Sequence, residues 1–137
     1  MKSRDSLIRL KRFQVDEKRR QVTQLEMMIA DFSRMIADLD DQIVGEQNRV
    51  GIHDITHFAY PTFAKAAIQR RDNLKVSVKD LEDKLADARD ALGLAVEELK
   101  KVELIEERDQ ARERAERDQV EQEDLDEVAA RRHVYGR

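Results

Sequence analysis

The residues with the clearest chemical potential lie in one short stretch near the middle of the chain. His53 and His57 are four positions apart and flank Asp54, and on a helix this spacing places two imidazoles on one face, as in zinc sites. No third ligand stands at a suitable position, and an aspartate occupies the place where such helices carry a catalytic glutamate. A loop or cap explains the stretch more simply. We therefore predict no metal ion and no other cofactor.

The rest of the sequence offers no catalytic constellation. It has no cysteine, no glycine-rich phosphate loop, and no arrangement of serine, histidine and aspartate that would activate a nucleophile. Its many carboxylates fall in charged helical stretches, which lack a cleft to shift their pKa values. We predict that the chain has no catalytic residues and is not an enzyme.

A cluster of basic side chains lies near the start of the chain and suggests two kinds of binding. Its members are Arg9, Lys11, Arg12, Lys18, Arg19 and Arg20. Such a cluster is typical of a DNA-binding basic region or of a helix that lies on an anionic membrane. Here, however, the basic residues fall within a heptad repeat, and the formal net charge of the chain is -4. We predict no nucleic-acid partner and only an indirect association with membranes.

A seven-residue repeat positions these side chains. Its β-branched members are Ile8, Val15, Val22, Ile29, Ile36, Ile43 and Val50. The positions three residues later are apolar in the centre, at Leu25, Phe32 and Leu39, but polar at Lys11, Lys18 and Glu46. This is the pattern of a coiled-coil seam, the line of a and d positions that packs against a partner helix. It predicts a first helix over residues 3–50.

Helix breakers interrupt the repeat over GIHDITHFAYP. Gly51 is suited to end the first helix, and Pro61 fits the first turn of a new one, so residues 51–60 are predicted to form a bend. A second seam then alternates steps of four and three residues: Leu74, Val78, Leu81, Leu85, Ala88, Leu92, Ala95, Leu99 and Val102. We predict a second helix over 61–131 and a tail over 132–137.

A chain that folds back near residue 56 places position i beside approximately position 112 minus i. This register brings Ile8 to Leu104, Leu7 to Ile105, and Lys11 within reach of Glu98. Charge agrees with it, because residues 1–23 carry a net +5 and residues 103–127 a net -8. The predicted fold is all-α: a long two-helix antiparallel coiled-coil hairpin whose second helix is longer than the first.

Residues 106–131 then extend beyond the first helix as an unpaired, charged overhang. Alternating Glu, Asp and Arg at helical spacing can support a solvated single helix. Two interpretations remain open, a frayed tail and a segment that contacts a partner through Val120, Leu125 and Val128.

The bend also leaves two interpretations for its apolar residues, which are Ile52, Ile55, Phe58, Tyr60, Phe63 and Ile68. They either close the end of the coiled coil on one another or present an exposed docking tip.

Three segments carry a resemblance to a known family. The opening MKSRDSLIRLKRFQVDEKRRQV, the bend GIHDITHFAYPTFAKAA and the following QRRDNL resemble the FliJ family of flagellar export proteins, in its α-proteobacterial form. The resemblance implies a coupling and chaperone component of the flagellar type III export apparatus, cytoplasmic and peripheral at the inner face of the plasma membrane. It implies three partners: the hexameric export ATPase, the cytoplasmic domain of the membrane export gate, and export substrate chaperones.

The resemblance also implies binding residues. Gate binding in the family uses a Tyr-x-x-Phe segment at the start of the second helix and the apolar positions that follow, here Tyr60, Phe63, Ala67 and Leu74. ATPase binding belongs to the end that bears both termini, here with Arg9, Arg12, Arg19 and the acidic overhang. The residues alone leave a different class open, namely a structural coiled-coil scaffold or oligomerisation protein with no role in export.

Overall fold

Two helices make up almost all of the structure. The structure is a computed structural model, and it describes residues 2–135 and the side chains of residues 4–134. Helix α1 spans Lys2–Val50 and helix α2 spans Thr62–Tyr135, and residues 51–61 connect them. No strand occurs within residues 2–135. The two helices pack against each other in antiparallel directions and α2 is the longer, so the predicted fold class is confirmed. Within the described residues, neither helix contains an apolar run sufficient to cross a bilayer.

Most heptad positions line the interface between the two helices, as their spacing predicts, but Val50, the last of the first series, is 36% exposed. Contacts divide the chain into two units, which we name the bend unit, Gln14–Ala95, and the terminal unit, Met1–Phe13 with Val96–Arg137. In the bend unit the most enclosed seam residue is Val15, which is 2% exposed. The other buried apolar residues of this unit are Val22, Leu39, Ile43, Tyr60, Ala64, Ala67, Leu81 and Leu85. Most of them occupy predicted seam positions, which confirms the interior face of both helices there.

Gly51 ends α1 by a left-handed cap. Its φ is +74°, a conformation that glycine adopts without the clash a Cβ would cause. Its amide donates to the carbonyl of Gln47 at 2.8 Å, which is the single hydrogen bond of the αL capping motif. Ten residues later, Pro61 lies just before the second helix, and its carbonyl accepts a hydrogen bond from the amide of Lys65 at 3.1 Å. Both punctuating residues therefore act where the sequence predicts.

The helix ends differ from the predicted ones by a few residues. Helix α1 begins at Lys2 rather than at residue 3, and α2 begins at Thr62 rather than 61. The larger difference is at the other end, where α2 continues to Tyr135 and the predicted tail from residue 132 is helical. Arg132 and His133 lie in its last turn, where cationic groups match the negative end of the helix dipole. Residues 136 and 137 lie outside the described range.

The terminal unit departs from the predicted pairing of apolar residues. Ile8 is buried, at 8% exposed, whereas Leu7, Leu104 and Ile105 are each 40% exposed or more, so these three do not belong to the buried seam. The reason is the phase of α2: steps of four and three continued beyond Val102 lead to Glu106 and Asp109. Those two side chains face α1, and the unpaired part of α2 begins after them, not at residue 106.

Candidate interaction surfaces

A charged clasp closes the terminal unit, and we define it as Arg4, Glu106 and Asp109. The guanidinium of Arg4 donates to Oε2 of Glu106 at 3.3 Å and also pairs with the carboxylate of Asp109. Gln110 Nε2 donates to the other oxygen of Glu106 at 3.2 Å. Glu106 is only 9% exposed and is the one buried charged side chain among the described residues. A buried carboxylate is stable only with such partners, so the clasp fixes the register of this end.

Two further ion pairs flank the seam of the terminal unit. Lys11 Nζ lies 2.9 Å from Oε2 of Glu98, as the predicted register requires. Arg12 approaches Glu103 at 3.8 Å, with the Arg12 side chain 61% exposed. One partner of each pair, Glu98 or Arg12, is more than half exposed, so each pair contributes about 0 to 1 kcal/mol. These ion pairs affect the alignment of the two helices more than the stability of the fold.

The residues predicted to bind the ATPase are all cationic and accessible. Arg9 and Arg12 line a polar depression of about 350 Å³ in the terminal unit, together with Asp5, Glu103 and Glu107. Arg9 forms no ion pair with any described residue, which leaves its guanidinium available to a partner. Arg19 belongs to the bend unit, where it is exposed and lies 3.9 Å from Asp16. The contact is long enough that Arg19 can exchange it for another carboxylate.

Hydrogen bonds hold the bend in one conformation. The carboxylate Oδ1 of Asp54 accepts from the hydroxyl of Thr56 at 2.7 Å and from its amide at 3.0 Å. These bonds favour the ionised form and keep the pKa of Asp54 below its ordinary value. The amide of His57 donates to the carbonyl of Asp54, and the amide of Ala59 donates to Nδ1 of His57, both at 3.0 Å. The stretch is therefore an ordered turn.

The bend has no metal-binding geometry among the described residues. Nδ1 of His57 already accepts a backbone hydrogen bond, and the Asp54 carboxylate is occupied by Thr56. No group of three or more His, Cys, Asp or Glu side chains in the described part of the chain could hold an ion. His57 and Asp54 instead shape the turn.

Two aromatic residues of the bend have opposite environments. One closes the end of the coiled coil and the other is exposed, so each of the two interpretations of the sequence holds for one residue. Tyr60 is 4% exposed, and its hydroxyl accepts from Nε2 of Gln47 at 2.8 Å, which ties the bend to the last turns of α1. Phe58 is 95% exposed, and its ring stacks on that of His57 with centroids 4.8 Å apart. The bend thus closes on itself through Tyr60 and presents Phe58 to solvent.

Of the four residues predicted to bind the export gate, one is presented to solvent. Phe63 is 57% exposed near the start of α2. Ala67 packs in a buried cluster with Leu39 and Ile43 of α1, and Leu74 is partly buried against the same cluster. With Tyr60 also buried, these three support the start of α2 and position Phe63, the accessible member of the set.

The sequence indicates part of the clasp through the helical phase of charged residues, which a search for apolar residues alone misses. The second seam extends in phase through Glu106 and Asp109, and Arg4 lies opposite them in the predicted register. Following the phase of the heptads past the last apolar residue identifies the two carboxylates, and the structure shows that Arg4 pairs with both. No pattern distinguishes Phe58 from Tyr60, because both are aromatic residues of one loop.

The fold defines a class, a two-helix hairpin with no strand within residues 2–135 and a second helix longer than the first. The chain belongs to the FliJ family, since the family model described as Flagellar FliJ protein matches residues 2–136. Searches of curated proteins and of solved structures return no match. The protein is accordingly a component of the flagellar export apparatus, within flagellar biogenesis and motility, and its family is non-enzymatic.

Proposed function

We propose that this protein couples the hexameric export ATPase to the membrane export gate and assists the handling of export substrate chaperones. In this proposal it works at the inner face of the plasma membrane and reaches the membrane only through the export apparatus. The observation that carries the proposal is the difference between the two units. The terminal unit presents charged side chains around a clasped seam, whereas the bend unit presents aromatic side chains on an ordered turn.

The gate is assigned to the bend unit through Phe63. A large aromatic side chain that is exposed on a rigid helix loses little conformational freedom on binding, and such residues dominate interfaces. Its support is well packed, because Tyr60 bonds to Gln47 and Ala67 lies in the buried cluster. In the proposed complex Phe63 inserts into the gate domain while Tyr60, Ala67 and Leu74 hold it in place.

The gate contact is tested by binding of the purified gate domain to Phe63→Ala. We expect affinity to fall by about tenfold or more, as for an aromatic anchor, with helicity by circular dichroism unchanged. Val76→Ala is a matched control, because Val76 is also an exposed apolar residue of α2, 63% accessible. If Phe63→Ala binds the gate domain with the same affinity as the wild type, Phe63 is not part of the gate-binding site.

The ATPase is assigned to the terminal unit and to the neighbouring cationic face of α1. Arg9, Arg12 and Arg19 expose guanidinium groups that can form paired hydrogen bonds with carboxylates of the ATPase. We expect Arg9→Ala combined with Arg12→Ala to reduce stimulation of ATP hydrolysis. Arg89→Ala, which removes an exposed charge from α2 in the bend unit, serves as control. Equal stimulation by all variants would contradict this contact.

A second candidate, a self-assembling coiled-coil scaffold, has one observation in its favour. Met27, Met28 and Met35 are exposed on α1, and accessible methionines are common on adaptable binding surfaces. Sedimentation equilibrium separates the two candidates. A coupling component sediments as a monomer when purified, whereas a scaffold sediments as a stable oligomer.

A further inference from the structure

The two flanks of the α1 seam differ in charge within the bend unit. On one flank, the residues that directly precede the β-branched seam positions are all uncharged, and we name them the methionine flank: Gln14, Gln21, Met28, Met35 and Gln42. The other flank is mostly charged or polar: Arg19, Glu26, Ser33, Asp40 and Gln47. Asp40 among them pairs with Arg71 of α2 at 3.0 Å. Flanking positions of a coiled coil usually carry such charges, so the methionine flank is the unusual side.

An open depression lies on the methionine flank, between the two helices of the bend unit. Its volume is about 460 Å³, and its lining residues are Gln21, Gln24, Leu25 and Met28 of α1 with Lys84, Asp87 and Ala88 of α2. Leu25 and Ala88 are seam residues, and both are only partly buried. Ala88 fills less of the seam than the leucines at neighbouring positions of α2. The depression therefore has an apolar floor that an apolar side chain of another helix can reach.

Two methionines stand along this flank with the spacing of a helical partner. Met28 and Met35 are 44% and 45% exposed and lie one heptad apart on α1. An unbranched thioether side chain adapts to the shape of the surface that it meets. Large apolar side chains seven residues apart match apolar residues at the same spacing on a second helix. An amphipathic helix is therefore the ligand that this surface fits.

Carboxylates border the methionine flank on its outer side. The positions next to it are Glu17, Gln24, Asp31 and Asp38 on α1 and Asn73, Asp80, Asp87 and Leu94 on α2, without a lysine or arginine among them. Glu17 and Asp31 pair with arginines of their own helix. Asp38, Asp80 and Asp87 form no ion pair with any described residue, and we name these three the acidic rim. Negative charge thus borders the apolar surface from both helices.

The acidic rim selects the kind of helix. It repels nucleic acids and anionic bilayers, which attract basic segments instead. A second copy of this chain, packed through the same face, would bring like charges together at the rim. A helix with lysine or arginine beside its apolar face complements both the rim and the methionines. The charge of this surface therefore favours a basic amphipathic helix from another protein.

We propose that the methionine flank binds a basic amphipathic helix of a protein partner, as a third helix beside the hairpin. An apolar side chain of that helix enters the depression over Leu25 and Ala88, and others pack on Met28 and Met35. Its cationic side chains pair with the acidic rim. The site goes beyond the coupling function proposed above, because it uses none of the residues assigned to the gate or to the ATPase.

The test is calorimetric titration of the full chain with a synthetic helical peptide that carries leucines at heptad spacing and arginines beside them. A peptide with glutamate in place of arginine is the matched negative probe. Physiological ionic strength screens weak attraction to the acidic part of α2 beyond the clasp. We expect the arginine peptide to bind wild type, and the glutamate peptide not to bind.

The first variant combines Met28→Gln with Met35→Gln. It gives both positions the residue that Gln21 and Gln42 already carry on this flank, and glutamine and methionine have similar helix propensity. We expect affinity for the arginine peptide to fall about tenfold or more. Met27→Gln is the matched control, because Met27 is 61% exposed but lies two residues before Ile29, on the side of α1 that faces away from α2. It should change affinity by less than about twofold.

The second variant neutralises the acidic rim by replacing Asp38, Asp80 and Asp87 with asparagine. We expect affinity to fall about fivefold, since exposed ion pairs contribute about 1 kcal/mol or less each. Its control replaces Asp41, Asp83 and Asp90 with asparagine. These three carboxylates are also exposed, but each lies two residues before a seam residue and faces away from the other helix. The control should lose less than about twofold.

Four results would overturn the proposal. The first is no binding of the arginine peptide to wild type. The second is equal affinity of the Met28 and Met35 double variant and the Met27 control. The third is an equal loss for the two sets of aspartate substitutions, which would show general attraction of opposite charges. The fourth is a wild-type oligomer in sedimentation that the double methionine variant dissociates, which would assign this flank to a second copy of the chain.

A further variant separates this site from the proposed gate contact. Phe63→Ala should bind the arginine peptide with wild-type affinity, because Phe63 does not line the depression. A loss equal to that of the double methionine variant would place the peptide at the start of α2 and would contradict the proposed site. Unchanged helicity by circular dichroism excludes unfolding as the cause of any loss.

Discussion

Arg4 and Glu106 lie 102 positions apart in the sequence, yet the guanidinium of one donates to the buried carboxylate of the other at 3.3 Å. This pair sets where the start of α1 lies along α2, because the buried carboxylate of Glu106 would lose its arginine partner if the helices slid past each other by a turn. The end of the hairpin is therefore specified by charge, and the centre by apolar packing.

Removal of one member of the clasp should destabilise the hairpin. Arg4→Ala leaves the carboxylate of Glu106 buried with fewer partners, and we expect a loss of about 1 to 3 kcal/mol in the free energy of unfolding. Urea titration followed by circular dichroism measures it. Arg131→Ala breaks a pair with Glu127 that is exposed on both sides and should change stability by less than about 0.5 kcal/mol. Equal effects would mean that the clasp is no stronger than a surface ion pair.

Two glycines should respond in opposite directions to alanine. Gly51 has a φ of +74°, so Gly51→Ala strains the cap and should destabilise the protein by about 1 kcal/mol. Gly93 lies inside α2, and a Cβ there would meet no atom within 4 Å. Gly93→Ala should stabilise by up to about 1 kcal/mol, since alanine favours the helix. Thermal unfolding of the two variants measures both signs, and a shift in the same direction would refute the assignment of the cap.

The pH dependence of the bend should follow Asp54. The hydroxyl of Thr56, and next its amide, hydrogen-bond the carboxylate and lower its pKa in the folded state. A lowered folded pKa means that the turn is stabilised above the unfolded pKa, about 3.9 for aspartate, and loses this stabilisation as the pH falls through the folded value. NMR titration should show Asp54 protonating at lower pH than an unperturbed aspartate.

Thr56→Val isolates the cause of that shift. It removes the hydroxyl donor at 2.7 Å and keeps the amide donor, so the pKa of Asp54 should rise towards its ordinary value. A titration identical to wild type would show that the hydroxyl does not stabilise the ionised form.

The apolar seam should be most sensitive at Val15. This side chain is the most enclosed of the large residues, and Val15→Ala removes two buried methyl groups. We expect a loss of about 1.5 to 3 kcal/mol in the free energy of unfolding, from lost burial and the cavity that remains. Val76→Ala makes the same chemical change at an exposed position and should cost less than about 0.5 kcal/mol. If the two variants unfold at the same urea concentration, Val15 is not a core residue.

Much of the fold could be predicted because coiled coils are specified by local periodicity. The heptads from Ile8 to Val50, and the four-three steps from Leu74 to Val102, indicate which faces are buried without knowledge of distant contacts. Charge segregation and the bend then give the register, which the Lys11–Glu98 pair confirms. The helix ends were less predictable, because charged residues such as Arg132 are compatible with both a helix and a tail.

The surfaces were harder to predict, since exposure depends on where a side chain meets the other helix. Leu7, Leu104 and Ile105 are apolar yet exposed, whereas Glu106 is charged yet buried. Their places follow from the phase of α2 and not from their hydrophobicity.

The sequence by itself determined the two helices, the bend, the antiparallel register and the family, because each depends on spacing or on continuous segments of chain. Only the tertiary structure decided which aromatic residues of the bend are accessible and how the terminal unit closes. Tyr60 is buried and its hydroxyl accepts a hydrogen bond from Gln47, whereas Phe58 and Phe63 are exposed. The clasp exists because packing carries the seam past its last apolar residue and brings Glu106 to Arg4, a contact between residues that are far apart in the chain.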